Sequence, residues 1–324
     1  MTIQVSVIVP TCNRPRLLER CLDALLAQTY DPKAYEIIVV DDAACPATEA
    51  QVAARAGARR LVRYLAAPDT RGPAAARNRG WQVARGEIIA FTDDDCVPTP
   101  GWLEAGVGAF VNGTVGVMGR LVVPLPPQPT DYQWDHRRLE QSEFVTANCF
   151  YERRALAEVG GFDERFTRAW REDSDLLFRL QERYNGDHHF AHVPGAVVHH
   201  PPRPASWGIS LQQQKKSMFN ALLYKRHPAR YRAIIQQSPP WHYYRISAAF
   251  LAGLLGLLTG RRHLAATGFA LWGLLSGRFA RRRLRYTSRA PAHVVEMVVT
   301  SLIIPLLSVF WRLAGALKFR VFFL

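Results

Sequence analysis

The sequence predicts an α/β fold: a Rossmann-like, mostly parallel sheet flanked by helices, followed by a helical, basic C-terminal segment. Three observations carry this expectation. Short β-branched runs alternate with amphipathic or Ala-rich stretches through the first hundred residues, the pattern of right-handed strand–helix–strand crossovers. Each run stops at polar or acidic residues, where sheets of this kind place their ligands. The charge is uneven as well: of a net +14, residues 241–324 contribute twelve Lys+Arg and a single acid, Glu296.

In chain order, VSVIVP (residues 5–10) is the first strand. Thr11 or Asn13 can cap the helix that follows, and Pro15 suits its first turn. Leu17, Leu18, Cys21, Leu22, Leu25 and Leu26 give that helix its 3.6-residue stripe. EIIVVDD (36–42) is a buried strand ending in Asp41 and Asp42. RGPAAARNRGWQVARG (71–86) is a loop and an Ala-rich helix carrying Arg77, Asn78 and Arg79. EIIAFTDDD (87–95) is a third strand, ending in Asp93, Asp94 and Asp95. These three strand ends should converge on one crevice. Residues 116–124 read as a further strand, and PLPPQPTDYQWDHRRLEQ (124–141) as a Pro-rich loop of lid size. ERRALAEVGGFDERF holds a short helix stopped by Gly160 and Gly161. REDSDLLFRLQERYNG is an amphipathic helix whose first turn gathers Glu172, Asp173 and Asp175, where the helix dipole favours acids. VPGAVVHHPPRPAS is a strand running into a Pro-rich turn.

Three adjacent carboxylates repel one another unless something positive sits among them. Residues 93–95 follow the buried run IIAF and precede CVP, which sets them apart from a solvated acidic surface. A hard divalent cation, Mg2+ or Mn2+, suits such a cluster. Asp41 and Asp42 can cap the next helix or bind a ligand, and Arg77 can pair with acids or with phosphate oxygens. Asp173 is a candidate general base: Glu172 beside it and burial against Trp170 raise its pKa, and the helix dipole lowers it. His199 and His200, at a strand end, are structural or metal-ligating. The five cysteines are odd in number and lack CxxC spacing, which excludes a disulfide scaffold or zinc site and suggests a reducing, cytosolic setting. The N-terminus enters a strand directly, so no signal peptide is expected.

Six blocks in order (VSVIVPTCNRPRLLERCL, EIIVVDDA, RGPAAARNRG, IIAFTDDDCVP, NCFYERRALAEVGGFDERF and REDSDLLFRL) resemble family 2 glycosyltransferases with the GT-A fold, over residues 3–225. The resemblance implies that Pro10, Thr11 and Asn13 form the first nucleotide-contacting loop, and that Asp42, with Asp41, meets the base. Arg77 and Asn78 fall at the nucleotide-side motif. Asp93 and Asp94 fall nearer the ribose and pyrophosphate, and Asp95 at the direct metal ligand, with Asp93 bracketing the motif. Asp173 matches the catalytic base, supported by Glu172, and His199 or His200 matches a further metal ligand. The implied reaction is metal-dependent, inverting transfer of one sugar from a nucleotide-diphosphate sugar to a hydroxyl of a glycan or lipid-linked acceptor, in cell-envelope or polysaccharide synthesis. The chain lacks the QxxRW block of processive synthases, which argues for single transfer. A nucleotidyltransferase is the alternative enzyme, but VPTCNRPR has neither the Gly-rich phosphate loop nor the nearby Lys. A catalytically silent membrane scaffold would not need Asp93, Asp95 and Asp173.

Beyond an expected domain boundary at 225/226, apolar runs at 246–258, 264–275 and 294–310 alternate with arginines. A membrane surface, rather than nucleic acid, suits that mixture. The first two runs fall short of the roughly 20 residues a crossing takes. Arg261 and Arg262 between them also oppose the positive-inside tendency. An interfacial or re-entrant hairpin satisfies both, whereas the third run, interrupted by Pro305, spans or lies flat. The expected location is the cytoplasmic face of the cell membrane.

Overall fold

The computed structural model describes residues 3–56, 61–70 and 72–324. The chain forms two compact units, Met1–Pro124 with Arg137–Arg203, and Leu125–His136 with Pro204–Leu324. The division after Arg203 differs from the expected 225/226, because residues 204–225 pack with the helices. Gly315 lies so close to Met218 that an added Cβ would sit 2.4 Å from its carbonyl oxygen.

The first unit is built on an eight-stranded sheet of order β3-β2-β1-β4-β7-β6-β8-β5. Its strands are β1 (Val5–Thr11), β2 (Tyr35–Asp41), β3 (Val62–Ala66), β4 (Ile88–Phe91), β5 (Val97–Pro98), β6 (Gly116–Val122), β7 (Cys149–Glu152) and β8 (Phe190–His199). The β3-β2-β1-β4 half is parallel, as expected. β7 then enters antiparallel between β4 and β6, so the sheet is mixed. Helices α1 (Pro15–Leu26), α2 (Pro46–Ala56), α3 (Pro73–Gln82) and α4 (Trp102–Val107) follow the early strands. α5 (Asp131–His136) belongs to the second unit, and α6 (Arg153–Glu158) and α7 (Glu172–Arg183) complete the first.

Sequence periodicity and burial agree along α1, which buries Leu18, Cys21, Leu22 and Leu25. The Ala-rich α3 is buried on nearly every side and lies flush on the sheet. A Cβ added at Gly80 would come within 2.4 Å of Ile8 Cγ2, so only glycine permits this approach. That closeness delivers Arg77, one turn earlier, to the end of the neighbouring β4. The expected lid at 124–141 is not a loop throughout. Thr130 and Gln133 cap each other's backbone reciprocally (2.8 and 3.3 Å) and start α5, and Arg137–Gln141 forms a 3-10 turn.

The second unit is helical: α8 (Ile209–Gln213), α9 (Phe219–Arg226), α10 (Pro228–Arg230), α11 (Trp241–Leu258), α12 (Arg262–Arg283) and α13 (Pro291–Phe319), with Pro305 inside the last. α11 and α12 form a close hairpin with a seam of small residues. A Cβ at Gly256 or Gly268 would stand 2.3 Å from the facing backbone of Ala265 or Gly253. Ile246, Phe279 and Ile304 make a small core where the hairpin meets α13. Arg283 ties α5 into this unit, donating to Asp131 Oδ2 (2.7 Å) and Thr300 Oγ1 (2.7 Å). Among the described residues only α13 is long and apolar enough to cross a membrane.

Candidate active site

The polar strand ends of the first unit do converge. At the end of β1, Thr11 Oγ1 donates to Asp94 Oδ2 (2.7 Å), and Arg14 Nη1 reaches Asp94 Oδ1 at 3.2 Å. Asp94 is fully buried, and burial pushes its carboxyl up to about 6 despite Arg14. Asn13, exposed in the same loop, holds a left-handed backbone (φ 53°), and Pro10 stands half-buried just before Thr11.

Arg77 is the strut of the site. Its guanidinium, 2% exposed, donates to Asp93 Oδ1 (2.7 Å) and to Glu172 Oε1 (3.0 Å). Burial disfavours its charge, but Asp93 and Glu172 more than offset this and raise its pKa. One side chain from α3 thus joins the end of β4 to the start of α7. Glu172 spends its other oxygen on the Trp170 N–H (2.6 Å). Burial and the neighbouring Asp173 lift its carboxyl to about 7. Asp173 is the more accessible of the pair. It accepts the Ser174 N–H (2.7 Å), and burial holds its pKa above the ordinary value. Trp170 is itself 37% exposed, and the Arg171 guanidinium lies over its ring at 4.8 Å. Arg171 itself has φ 76°, a strained setting for a side-chain-bearing residue, and it aims the first turn of α7.

Asp95 is held apart from its two neighbours. Its Oδ1 lies 3.0 Å from His200 Nε2, and Arg203 Nε lies 2.9 Å from Oδ2, an ion pair without hydrogen-bond geometry. Burial works against its charge, yet His200 and Arg203 win and bring it down to about 2. Asp95, Cys96 and His200 each offer a ligand atom within 4.8 Å of the others. Of the two candidate histidines, His200 is the one in this group. His199 pairs with Val97 and Val122, and strand alternation turns its side chain to the opposite face. A hard cation fits the Asp95 and His200 donors. Burial keeps the Cys96 thiol protonated, which makes it a poor partner for such an ion.

Two expected nucleotide contacts are otherwise engaged. Asp41 is fully buried and accepts from the Ala43 and Cys45 N–H groups (3.0 and 2.8 Å) and from Tyr64 OH (3.1 Å). It fixes the turn into α2, and Asp42 keeps one carboxylate oxygen, Oδ1, buried without a hydrogen-bond partner. Asn78 binds Phe162 N and O (2.8 and 2.9 Å), Glu164 Oε1 (2.9 Å) and Trp81 Nε1 (2.9 Å), pinning the 162–164 turn. Arg14, Cys96 and Arg203 were missed in the sequence. The spacing His200-x-x-Arg203 was the signal available for the last. Beside β6 opens a cavity of about 490 Å³ lined by Arg120, Val122, Glu140, Asn148 and His192 among others. It touches the site through Val122, whose carbonyl accepts from His200 N.

A parallel half-sheet joined to an antiparallel strand, with acids at the end of β4 and the start of α7, is the arrangement of a GT-A fold. A mannosyltransferase from Pyrobaculum calidifontis, solved in complex with GDP-Man and Mn2+, has the same fold (TM-score 0.55, 19% identity, 99% of this chain and 88% of that one). The glycosyl transferase family 2 profile matches residues 6–173, and that of glycosyl transferase family group 2 matches residues 130–314. The chain belongs to glycosyltransferase family 2. It is 30% identical over 168 residues to glycosyltransferase AglE of Haloferax volcanii, covering 49% of this chain and 55% of that protein. It is 31% identical over 195 residues to the pre-mycofactocin glycosyltransferase of Mycobacterium tuberculosis, covering 55% and 39%. The chain thus spans about half the length, or less, of these relatives.

Proposed function

We propose that this protein is an inverting glycosyltransferase that moves one sugar from a nucleotide-diphosphate sugar to a hydroxyl of a glycan or lipid-linked acceptor, at the cytoplasmic face of a membrane. The observation that carries the reading is the Arg77 strut. It occupies Glu172 and Asp93, and leaves Asp173 as the accessible carboxylate beside the Asp93–Asp95 cluster. Asp173 has the raised pKa of a group able to take a proton from an acceptor hydroxyl. That hydroxyl then attacks the anomeric carbon as the bond to the diphosphate breaks, and one displacement inverts the centre. Asp42, with its unpartnered oxygen, suits the base of the donor, and Thr11 and Arg14 hold Asp94 in place. Asp95 and His200 would hold Mg2+ or Mn2+, which supplies charge neutralisation for the leaving diphosphate. The Mn2+ and GDP-Man of the Pyrobaculum structure support this choice of cofactor and donor class. Five cysteines, none in a disulfide, suit a reducing compartment, where nucleotide sugars are made.

The test is a thermal-shift screen of nucleotide sugars with and without Mn2+, followed by transfer assays on the donor that stabilises most. Asp95→Asn should lose the Mn2+-dependent part of the shift. Asp173→Asn should keep the shift and lose transfer. Full transfer by Asp173→Asn would overturn the assignment of the base.

A further inference from the structure

The second unit carries an apolar surface that its own chain leaves open. On α13, Val295, Val298, Ile303, Phe310, Leu313 and Leu317 are all exposed and fall on one arc of the helix. They form a stripe about 33 Å long at 1.5 Å per residue. The opposite face, with Met297, Ile304, Ser308, Arg312 and Gly315, is buried. In the α11–α12 hairpin the buried positions are mainly small, among them Ala249, Gly253 and Gly256 against Ala265 and Gly268. Leu251, Leu255, Leu257, Leu258, Leu271 and Leu274 point outward, Leu258 at 85% exposure. Helices that meet through glycine and alanine and show leucine to their surroundings are built for lipid, where close backbone packing replaces the hydrophobic drive.

Charge identifies the lipid. Residues 204–324 hold eighteen Lys+Arg against Glu296 alone. Arg278, Arg281, Arg282, Arg283, Arg285 and Arg289 crowd the end of α12 and the turn into α13, of which Arg283 is spent on Asp131. Such clusters beside apolar helices draw anionic headgroups.

Geometry then separates lying on a bilayer from crossing it. The apolar part of α11, residues 246–258, reaches about 20 Å, well short of the ~30 Å hydrocarbon thickness. The hairpin tip is Arg261, Arg262 and His263, all exposed. α13 is long enough, but the face opposite its stripe packs on the rest of the unit, through the apolar Ile304 core and, over its last third, through polar side chains. Lys225 Nζ donates to Phe319 O (2.8 Å), Lys215 lies over the Trp311 ring (5.3 Å), and Arg312 binds Gln236. A helix buried on one side against its own unit, with charged side chains at its C-terminal third, and open in an apolar stripe on the other side suits an interface.

We propose that the second unit is a monotopic docking surface for an anionic bilayer, with the α13 stripe and the hairpin leucines sunk into one leaflet and no helix crossing it. Purified full-length protein should float with vesicles of phosphatidylcholine containing phosphatidylglycerol, and several-fold less with phosphatidylcholine alone. Leu313→Asp with Leu317→Asp should abolish flotation on both. Arg278→Glu with Arg281→Glu and Arg285→Glu should bring the anionic vesicles down to the phosphatidylcholine level. Far-UV circular dichroism and donor-induced thermal shift check that each variant is folded. Equal flotation of folded variants and wild type overturns the docking surface. To test crossing, Arg261→Cys is placed in a chain with Cys12 and Cys45 changed to Ser and bound to vesicles. An impermeant maleimide added outside should label it as fully as after detergent; labelling only after detergent overturns the single-leaflet arrangement.

Discussion

The two units solve opposite packing problems with the same residue types. In the first, leucine, isoleucine and valine are hidden: Leu18, Leu22 and Leu25 and the β1 and β2 valines are all fully buried. Several of its charged groups are drawn inward to the strand ends, where Arg14 pairs with Asp94, Arg77 with Asp93 and Glu172, and His200 and Arg203 with Asp95. In the α11–α12 hairpin of the second, small residues are hidden and leucines are shown, although α9 buries Leu222 and Leu223. All but four of the exposed large apolar side chains of the described residues lie between Trp207 and Phe322. Acids are concentrated in the first unit, so that the eighteen Lys+Arg of the second stand against only three acids, Asp131, Asp135 and Glu296. On the bilayer docking proposed above, what differs is the solvent each unit meets, and a hydrophobic count alone would not separate them.

Four experiments press on that contrast. The largest effect is expected at the inward-drawn charges: Asp173→Asn should slow transfer by about 10²–10⁴-fold, the usual contribution of a positioned proton acceptor. Its urea midpoint should be that of wild type, and a matching loss of stability would recast Asp173 as a structural acid. Arg77→Met should cost about 3–5 kcal/mol in urea unfolding, because Asp93 and Glu172 are left facing each other across a buried gap. A neutral result there would mean that the site is not held by its strut. Leu22→Ala should cost about 2–5 kcal/mol, whereas Leu258→Ala, 85% exposed, should stay within about 0.5 kcal/mol in detergent. Similar costs for the two leucines would erase the distinction between the units.

The smallest effect is a pH dependence. Asp94 is pushed up to about 6 from an ordinary 3.8, so the folded state prefers its protonated form. The associated stability is fully present below about 3.8 and is lost as pH rises through about 6, a change on the order of 2–3 kcal/mol. The melting temperature of Asp94→Asn relative to wild type should therefore climb between pH 4 and pH 8. A constant difference would show that Asp94 is not the titrating group.

Much of the site was legible because its signals are short-range. Asp93–Asp95 stop a buried run, and Glu172 and Asp173 open a helix, so type and position alone marked both. The parallel half of the sheet was legible from its strand–helix alternation. Contacts made at a distance were not. Asn78 looked like a ligand contact, yet its partners Phe162 and Glu164 lie more than eighty residues away. Asp41 was open to a local reading, since an aspartate two and four residues before free N–H groups commonly ties a turn. β3, an edge strand with only Val62 buried, has too little apolar alternation to stand out. β7 was hidden inside NCFYE, whose antiparallel place depends on pairing that no local pattern encodes. In the tail, composition marked the apolar helices, but which face stays open depends on how α13 is sheathed.

The Arg77 strut also bears on the order in which the site comes into being. Arg77 and Asp93 leave the ribosome within sixteen residues of each other, whereas Glu172 follows ninety-five residues after Arg77. During that interval the guanidinium has one of its two carboxylates, and α7, which carries Asp173, does not yet exist. The Asp93–Asp95 cluster is thus synthesised first and Asp173 last. A chain released before residue 172 retains the aspartate cluster without the carboxylate proposed to take the proton.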